Sequence, residues 1–227
     1  MYVRIPKLLN GEQIESIETM MAAADFVDGR ETGGPAIKDI KNNQQLDRAG
    51  TEGVAEIDQM ILQALSTNGT VRAAVLPTRI LPPYYVKYTD GMAYGPHVDN
   101  PLMAAATGGA PLRTDASITI FLSEPDSYDG GELQIKSDIG DANIKLPPGD
   151  AIIYPTGAIH QVLPVTRGER RVCVSWMQSM IADPTRRRIV YELDLVCQSL
   201  LQKMPDTDEH RTLMRNYGNL VRLWGEP

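Results

Sequence analysis

The feature that most constrains this chain is a change of pattern at Pro77. From there to Met180, short β-rich runs alternate with turn clusters, at Tyr84–Tyr88, Ser117–Leu122, Glu132–Ile135, Ala151–Tyr154 and Arg171–Met177. Asp129-Gly130-Gly131, Pro147-Pro148-Gly149-Asp150 and Thr166-Arg167-Gly168-Glu169 each suit a tight reversal of the backbone. No crossover helix separates the runs, which counts against a doubly wound nucleotide-binding sheet and for an all-β barrel or jelly roll.

Helical periodicity bounds this region on both sides. Asn10 and Gln13 read as a capping box, and Ile14, Ile17 and Met21 follow at helical spacing, predicting a helix from about Gly11 to Ala24. Asp28 to Asp47 reads as a polar, glycine-containing connection. Val54, Ile57, Ile61 and Leu65 then mark a second helix, which Gly69 is expected to end. Beyond Ser179, Asp183 can cap a helix with Pro184 in its first turn, and Ile189, Leu193, Val196 and Leu200 repeat at four-three-four spacing. A last helix carries Leu213, Tyr217, Leu220 and Trp224. The expected organisation is mainly β with flanking helices (α+β): helical support over 1–76, the β core over 77–180, and a helical extension over 181–227. That extension is expected to pack on the core or on another subunit of a homo-oligomer.

Charge and cysteine usage exclude several classes. The formal net charge of −7, with no Lys/Arg stripe interleaved with aromatics, offers no grip on a phosphate backbone, so no nucleic-acid partner is expected. Arg186-Arg187-Arg188 reads as a solvated helix face. Cys173 and Cys197 are too few for a disulfide framework, and buried small apolar roles in a reducing compartment are expected. Arg4, Lys7, Glu12 and Glu15 break any apolar leader, and no membrane span is expected, which places the protein in the cytoplasm.

Chemistry gathers around the histidines, of which there are three. His97 and Asp99 are separated by one residue in a strand-like segment, which puts both on one face. By itself His-x-Asp is common by chance. His160, just after the apolar run Ala151–Pro155, is the candidate third ligand, whereas His210 sits among acidic residues at a polar helix start. Two histidines and one carboxylate form the facial triad of non-haem iron(II) oxygenases, which leaves three metal positions open for a 2-oxo acid and dioxygen. Arg170 follows the Thr166–Glu169 turn. On a tight hairpin it lies about five residues from His160, on the order of 16 Å at strand rise, so it can hold the far carboxylate of a diacid. Arg171 is expected to face the opposite way. The competing reading is a non-catalytic metal- or ligand-binding cupin, which needs neither an intact triad nor Arg170.

These residues stand in a longer series: Phe26–Arg30, Lys41-Asn42-Asn43-Gln44-Gln45, Tyr94–Asp99, Arg113-Thr114-Asp115, Tyr128–Leu133, Leu146–Asp150, Pro164–Gly168 and Trp176–Ile181. Over its full length the chain resembles the bacterial PKHD-type hydroxylases, relatives of the prolyl and lysyl hydroxylases. The resemblance implies a double-stranded β-helix core, iron(II) at His97, Asp99 and His160, 2-oxoglutarate at Arg170, and L-ascorbate as the reductant that restores iron(II). It further implies hydroxylation of a C–H bond, with release of succinate and carbon dioxide. A prolyl or lysyl residue in a protein or peptide is the leading substrate, with a free amino acid or iron-uptake metabolite as the small-molecule alternative. Tyr88 is similar to a prolyl-hydroxylase tyrosine that reaches the cosubstrate, but its spacing to His97 departs by one residue, and core packing is the equal alternative. The small-residue loop between Asn100 and Asp115 reads either as a lid over the metal or as a passive connection.

Overall fold

Strands this short are stable only within sheets of several strands packed on a hydrophobic face, and here they assemble into two facing antiparallel sheets. A computed structural model describes residues 1–32, 34, 37–104, 110–138 and 140–226. Its first part holds β1 (Val3–Ile5), α1 (Gly11–Ala23), β2 (Phe26–Asp28), β3 (Lys41–Asn42), β4 (Gln44–Leu46), α2 (Val54–Thr67) and α3 (Gly69–Val75). There follow β5 (Pro77–Ile80), β6 (Tyr84–Tyr88), β7 (Ala93–His97), β8 (Leu102–Met103), β9 (Leu112–Arg113), β10 (Ala116–Phe121), β11 (Asp129–Gly130) and β12 (Leu133–Ile135). Next are β13 (Ala142–Ile144), β14 (Ala151–Pro155), β15 (His160–Val162), β16 (Val165–Arg167) and β17 (Arg170–Ser179), and then α4 (Pro184–Lys203) and α5 (Asp208–Trp224). No helix among the described residues is long and apolar enough to cross a membrane.

The larger sheet runs β1-β14-β10-β17-β6-β4-β2 with β5 also on β17, and the smaller runs β13-β12-β15-β7-β3. Alternation divides the core between two layers. On β10, Ile118 and Ile120 turn outward to meet Ile17, Met21, Ile61, Leu65 and Val71 of the helices, while Phe121 turns inward to Leu133, Val162 and Val172. Both faces are therefore buried along all six residues of β10, with the polar Ser117 and Thr119 on the inner face. Each fully buried aliphatic side chain contributes roughly 1.5–3 kcal/mol, so the helix layer fixes the large sheet and leaves its inner face free for chemistry.

Local signals explain most of the helix starts. The Asn10 side chain accepts from Gln13 N and Gln13 Oε1 accepts from Asn10 N, both at 2.9 Å, completing the expected box. Asp183 Oδ1 accepts from Arg186 N at 2.7 Å, with Pro184 in the first turn.

Three expectations need correction. Gly69 opens a helix rather than ending one: Asn68 Oδ1 accepts from Thr70 N and Val71 N, and Val71, Ala74 and Val75 bury against the core. On α4 the buried face is Arg187, Val190 and Cys197, whereas Ile189 and Val196 are 42% and 48% exposed, because Arg187 reaches inward to the carbonyls of Ile181 and Asp115 and so sets the helix rotation. The polar connection from Asp28 to Asp47 contains β3 and β4, which join the smaller and the larger sheet respectively. In the loop read either as a lid or as a passive connection, residues 105–109 lie outside the described residues, and its flanks pair as β8 with β9.

Candidate active site

The two strands that carry the histidines lie side by side, and their register sets His160 directly opposite His97. A bulge separates this pair from Val162 opposite Tyr94, and at Gly95 an added Cβ would fall 2.9 Å from Ile40 Cβ, so only glycine lets β7 approach its neighbour there. Asp99 lies just beyond the strand, its amide donating to the Thr156 carbonyl at 3.3 Å. One ligand atom from each of His97, Asp99 and His160 falls within 4.8 Å of the others. Both histidine Nε2 atoms lie 3.8 Å from Asp99 Oδ1.

What turns this cluster into a preformed chelate is the fate of the other heteroatoms. His97 Nδ1 donates to the Gly95 carbonyl at 2.8 Å and His160 Nδ1 to the Ala158 carbonyl at 2.9 Å, which leaves each Nε2 lone pair facing the cluster. Asp99 Oδ2 accepts from Ser117 Oγ at 2.6 Å, which leaves Oδ1 for the centre. Tyr94 stacks on the His97 ring at 3.6 Å between centroids, and Tyr154 meets the His160 ring edge-on at 4.9 Å. Burial, and secondarily His160, push the His97 imidazole down to about 4, so it is neutral and ready to ligate at ordinary pH. Two nitrogens and one carboxylate oxygen, pre-oriented this way, suit a divalent transition metal with open positions.

Arg170 begins β17 on the facing sheet, opposite Tyr88 of β6. The expected hairpin with His160 does not form: β15 leads into β16, which pairs with β11, so His160 and Arg170 face each other from different sheets. Arg170 is only 1% exposed, yet its Nε and Nη1 have no hydrogen-bond partner. Its guanidinium carbon sits 5.1 Å from the Tyr88 ring centroid and 5.6 Å from that of Phe121. A buried cation with idle donors is costly, and a carboxylate satisfies it, so this end of the cavity fits a diacid cosubstrate. Gly131, at φ +67, makes room for it, since a Cβ there would lie 3.1 Å from Arg170 Cδ. Tyr88 shares the cavity, but its hydroxyl accepts from Asn43 Nδ2 at 2.9 Å. Arg171 faces away, bonded to Glu18 and Glu169 on the helix side.

The cavity between the sheets, which opens to solvent on one side, is lined by the triad, Arg170 and Tyr88 together. Sequence reasoning assigned no role to its polar wall of Thr32, Lys41, Asn43 and Gln45, which comes from the segment read as a connection. It also left unassigned Trp176, whose indole N–H is buried without an acceptor. Trp176 had a signal in plain view: with Arg170, Val172 and Val174 it shares the inward face of one long strand. The polar wall had only the composition of Lys41–Gln45.

Comparison with known proteins agrees with this geometry. The sequence profile of the 2OG-Fe(II) oxygenase superfamily matches residues 84–178, and that of the PKHD-type hydroxylase C-terminal domain matches 185–226. A PKHD-type hydroxylase from Gluconacetobacter diazotrophicus is 43% identical over 225 residues, covering 99% of each chain. Among solved structures, the fold is shared with a Trichoplax adhaerens prolyl hydroxylase in complex with a hypoxia inducible factor peptide fragment (TM-score 0.54, 15% identity, 83% of this chain and 86% of that one). It is shared equally with HygX of Streptomyces hygroscopicus bound to nickel, 2-oxoglutarate and hygromycin B (TM-score 0.53, 15% identity, 79% and 84%). With its double-stranded β-helix, its His-Asp-His cluster and near-complete alignment to such relatives, the chain belongs to the PKHD-type hydroxylases, enzymes of the 2OG-Fe(II) oxygenase superfamily.

Proposed function

We propose that His97 Nε2, Asp99 Oδ1 and His160 Nε2 hold a ferrous ion, and that Arg170 anchors the distal carboxylate of 2-oxoglutarate in a hydroxylation of a prolyl residue in a protein or peptide. The reading rests above all on the two imidazoles, each with Nδ1 committed to a carbonyl and Nε2 turned to one carboxylate oxygen. When bound, iron and 2-oxoglutarate supply the oxidation: decarboxylation of the oxo acid to succinate gives two electrons to dioxygen, and one oxygen atom goes to an unactivated C–H bond. The protein's own part is positional. Ser117 fixes the Asp99 rotamer, Tyr94 and Tyr154 hold the imidazole planes, and Tyr88 with Phe121 walls the guanidinium so that it points into the cavity. Residues 77–180 form the catalytic unit, supported by 1–76 and extended by 181–227, with L-ascorbate as the reductant that keeps the iron ferrous. The setting is the reducing cytoplasm, in line with Cys173 and Cys197, both buried and free. Prolyl chemistry draws its support from the fold shared with a prolyl hydroxylase that binds a peptide.

Anaerobic titration with iron(II) and 2-oxoglutarate tests the site. A weak visible charge-transfer band is expected, lost in Asp99→Ala; a colourless protein with unaltered 2-oxoglutarate affinity in Arg170→Ala would favour the non-catalytic cupin. Incubation with cognate lysate, followed by mass spectrometry for oxygen-atom additions that vanish with Asp99→Ala, tests the substrate: additions on residues other than proline overturn the prolyl assignment.

A further inference from the structure

The cavity holds a cation that neither the metal nor the cosubstrate accounts for. Lys41 is 6% exposed, and its Nζ makes one hydrogen bond, to Thr32 Oγ1 at 2.9 Å. Among the described residues it forms no ion pair with a carboxylate. Its ammonium lies 5.6 Å from the centroid of the Tyr94 ring, and the same ring stacks on His97, a candidate ligand. Thr32 in turn donates to Gln45 Oε1 at 2.7 Å, which fixes the hydroxyl as an acceptor for the lysine. Burial lowers the ammonium to about 8, with Asp99 and Asp28 acting the other way, so it carries its charge at neutral pH.

A buried ammonium with one neutral partner and two idle N–H groups is expensive unless a ligand completes it. Charge counting points the same way. The cavity's fixed charges are Lys41 and Arg170 against Asp99, a surplus of one positive charge. A ferrous ion and dianionic 2-oxoglutarate cancel one another, so the surplus persists in the loaded site. Another idle donor, the indole N–H of Trp176, lines the same cavity.

We propose that Lys41, held by Thr32, is a specificity residue that receives a carboxylate of the substrate beside the C–H bond to be hydroxylated. This rests on the function proposed above and narrows it: the target is a prolyl group bearing its own carboxylate, or one flanked by an acidic side chain. The first source is a free or C-terminal proline, the second an internal peptide site.

The test uses calorimetric binding to the full chain loaded anaerobically with iron(II) and 2-oxoglutarate. The probes are N-acetyl-L-proline against N-acetyl-L-prolinamide, and N-acetyl-Pro-Asp-amide and N-acetyl-Asp-Pro-amide against their Asn counterparts. At least one carboxylate probe is expected to bind about tenfold or more tighter than its neutral twin, and which pair shows it identifies the source. Lys41→Met should abolish the preference, Lys41→Arg should retain most of it, and both should keep 2-oxoglutarate affinity within about twofold. Equal binding of each twin, no carboxylate probe bound at millimolar concentration, or a preference that survives in Lys41→Met overturns the proposal. So does a large loss of 2-oxoglutarate affinity in Lys41→Met, which would assign the lysine to the cosubstrate. Failure of the wild type to bind 2-oxoglutarate at all sinks the underlying function instead, and is seen before any probe is added.

Discussion

Two walls of the same cavity carry a buried cation, and they are built in opposite ways. Arg170 stands on a ten-residue strand whose register is fixed on both sides, with aromatic rings around a guanidinium whose Nε and Nη1 have no hydrogen-bond partner. Lys41 stands on a two-residue strand at the rim of the smaller sheet, and its ammonium is steadied by the Thr32 hydroxyl. Tight pairing in the middle of a sheet makes the first wall a rigid one, as suits the proposed anchor of an invariant diacid. The second is assembled from Thr32 and the short stretch Lys41–Gln45 that passes from the rim of the smaller sheet into the larger one, as suits the proposed reading of the variable reactant.

The largest expected effect breaks the first wall. Replacing Arg170 by Ala would remove the proposed charge-assisted, two-bond contact to 2-oxoglutarate, at a cost of about 3 kcal/mol, or on the order of a hundredfold in its Kd. Arg171→Ala is the control, one residue away on the other face: it loses part-buried ion pairs to Glu18 and Glu169, which lowers stability, and should leave that Kd unchanged. Equilibrium titration of both variants separates the two faces. Equal losses would mean that strand alternation does not decide which arginine serves the cavity.

Alternation is also why much of this site was legible. A residue's parity along β17 assigns Arg170 inward and Arg171 outward with no knowledge of the partner strands. His97 and Asp99 were likewise readable from their spacing, and His160 from the apolar run before it. The cross-strand register that sets the two imidazoles opposite each other depends on a bulge and on the close approach at Gly95, and neither leaves a mark in a hydrophobic pattern. The placement of Arg170 on the facing sheet escaped notice because a turn signal says that the chain reverses, not which strand it then joins. The polar wall was hardest of all: Lys41, Asn43 and Gln45 face a cavity and not a core, so their inward face is polar and β3 and β4 resemble a loop.

A smaller effect is expected where the triad is braced. Ser117 on β10 donates to Asp99 Oδ2, and its own Oγ is 3.3 Å from Thr156 Oγ1. With Ser117→Ala the carboxylate can rotate away from both Nε2 atoms, and iron(II) affinity should fall about tenfold to a hundredfold. Metal titration in the absence of cosubstrate measures this, and 2-oxoglutarate binding at saturating iron should change far less. An affinity for iron equal to that of wild type would show that the histidines alone fix the ion.

The smallest effect bears on the second wall alone. Thr32→Val keeps the shape of the side chain but removes the acceptor for Lys41 Nζ and the donor to Gln45 Oε1. Loss of a hydrogen bond to a buried charged group costs about 1–3 kcal/mol. Denaturant unfolding should therefore register about 1–3 kcal/mol, while 2-oxoglutarate affinity stays within about twofold of wild type. If the Kd for 2-oxoglutarate moved as far as it does in Arg170→Ala, the two cations would belong to one electrostatic unit. The division of the cavity into a fixed socket and an adjustable wall would then fail, because a hydroxyl on the edge strand's side could not disturb the guanidinium without direct coupling between them.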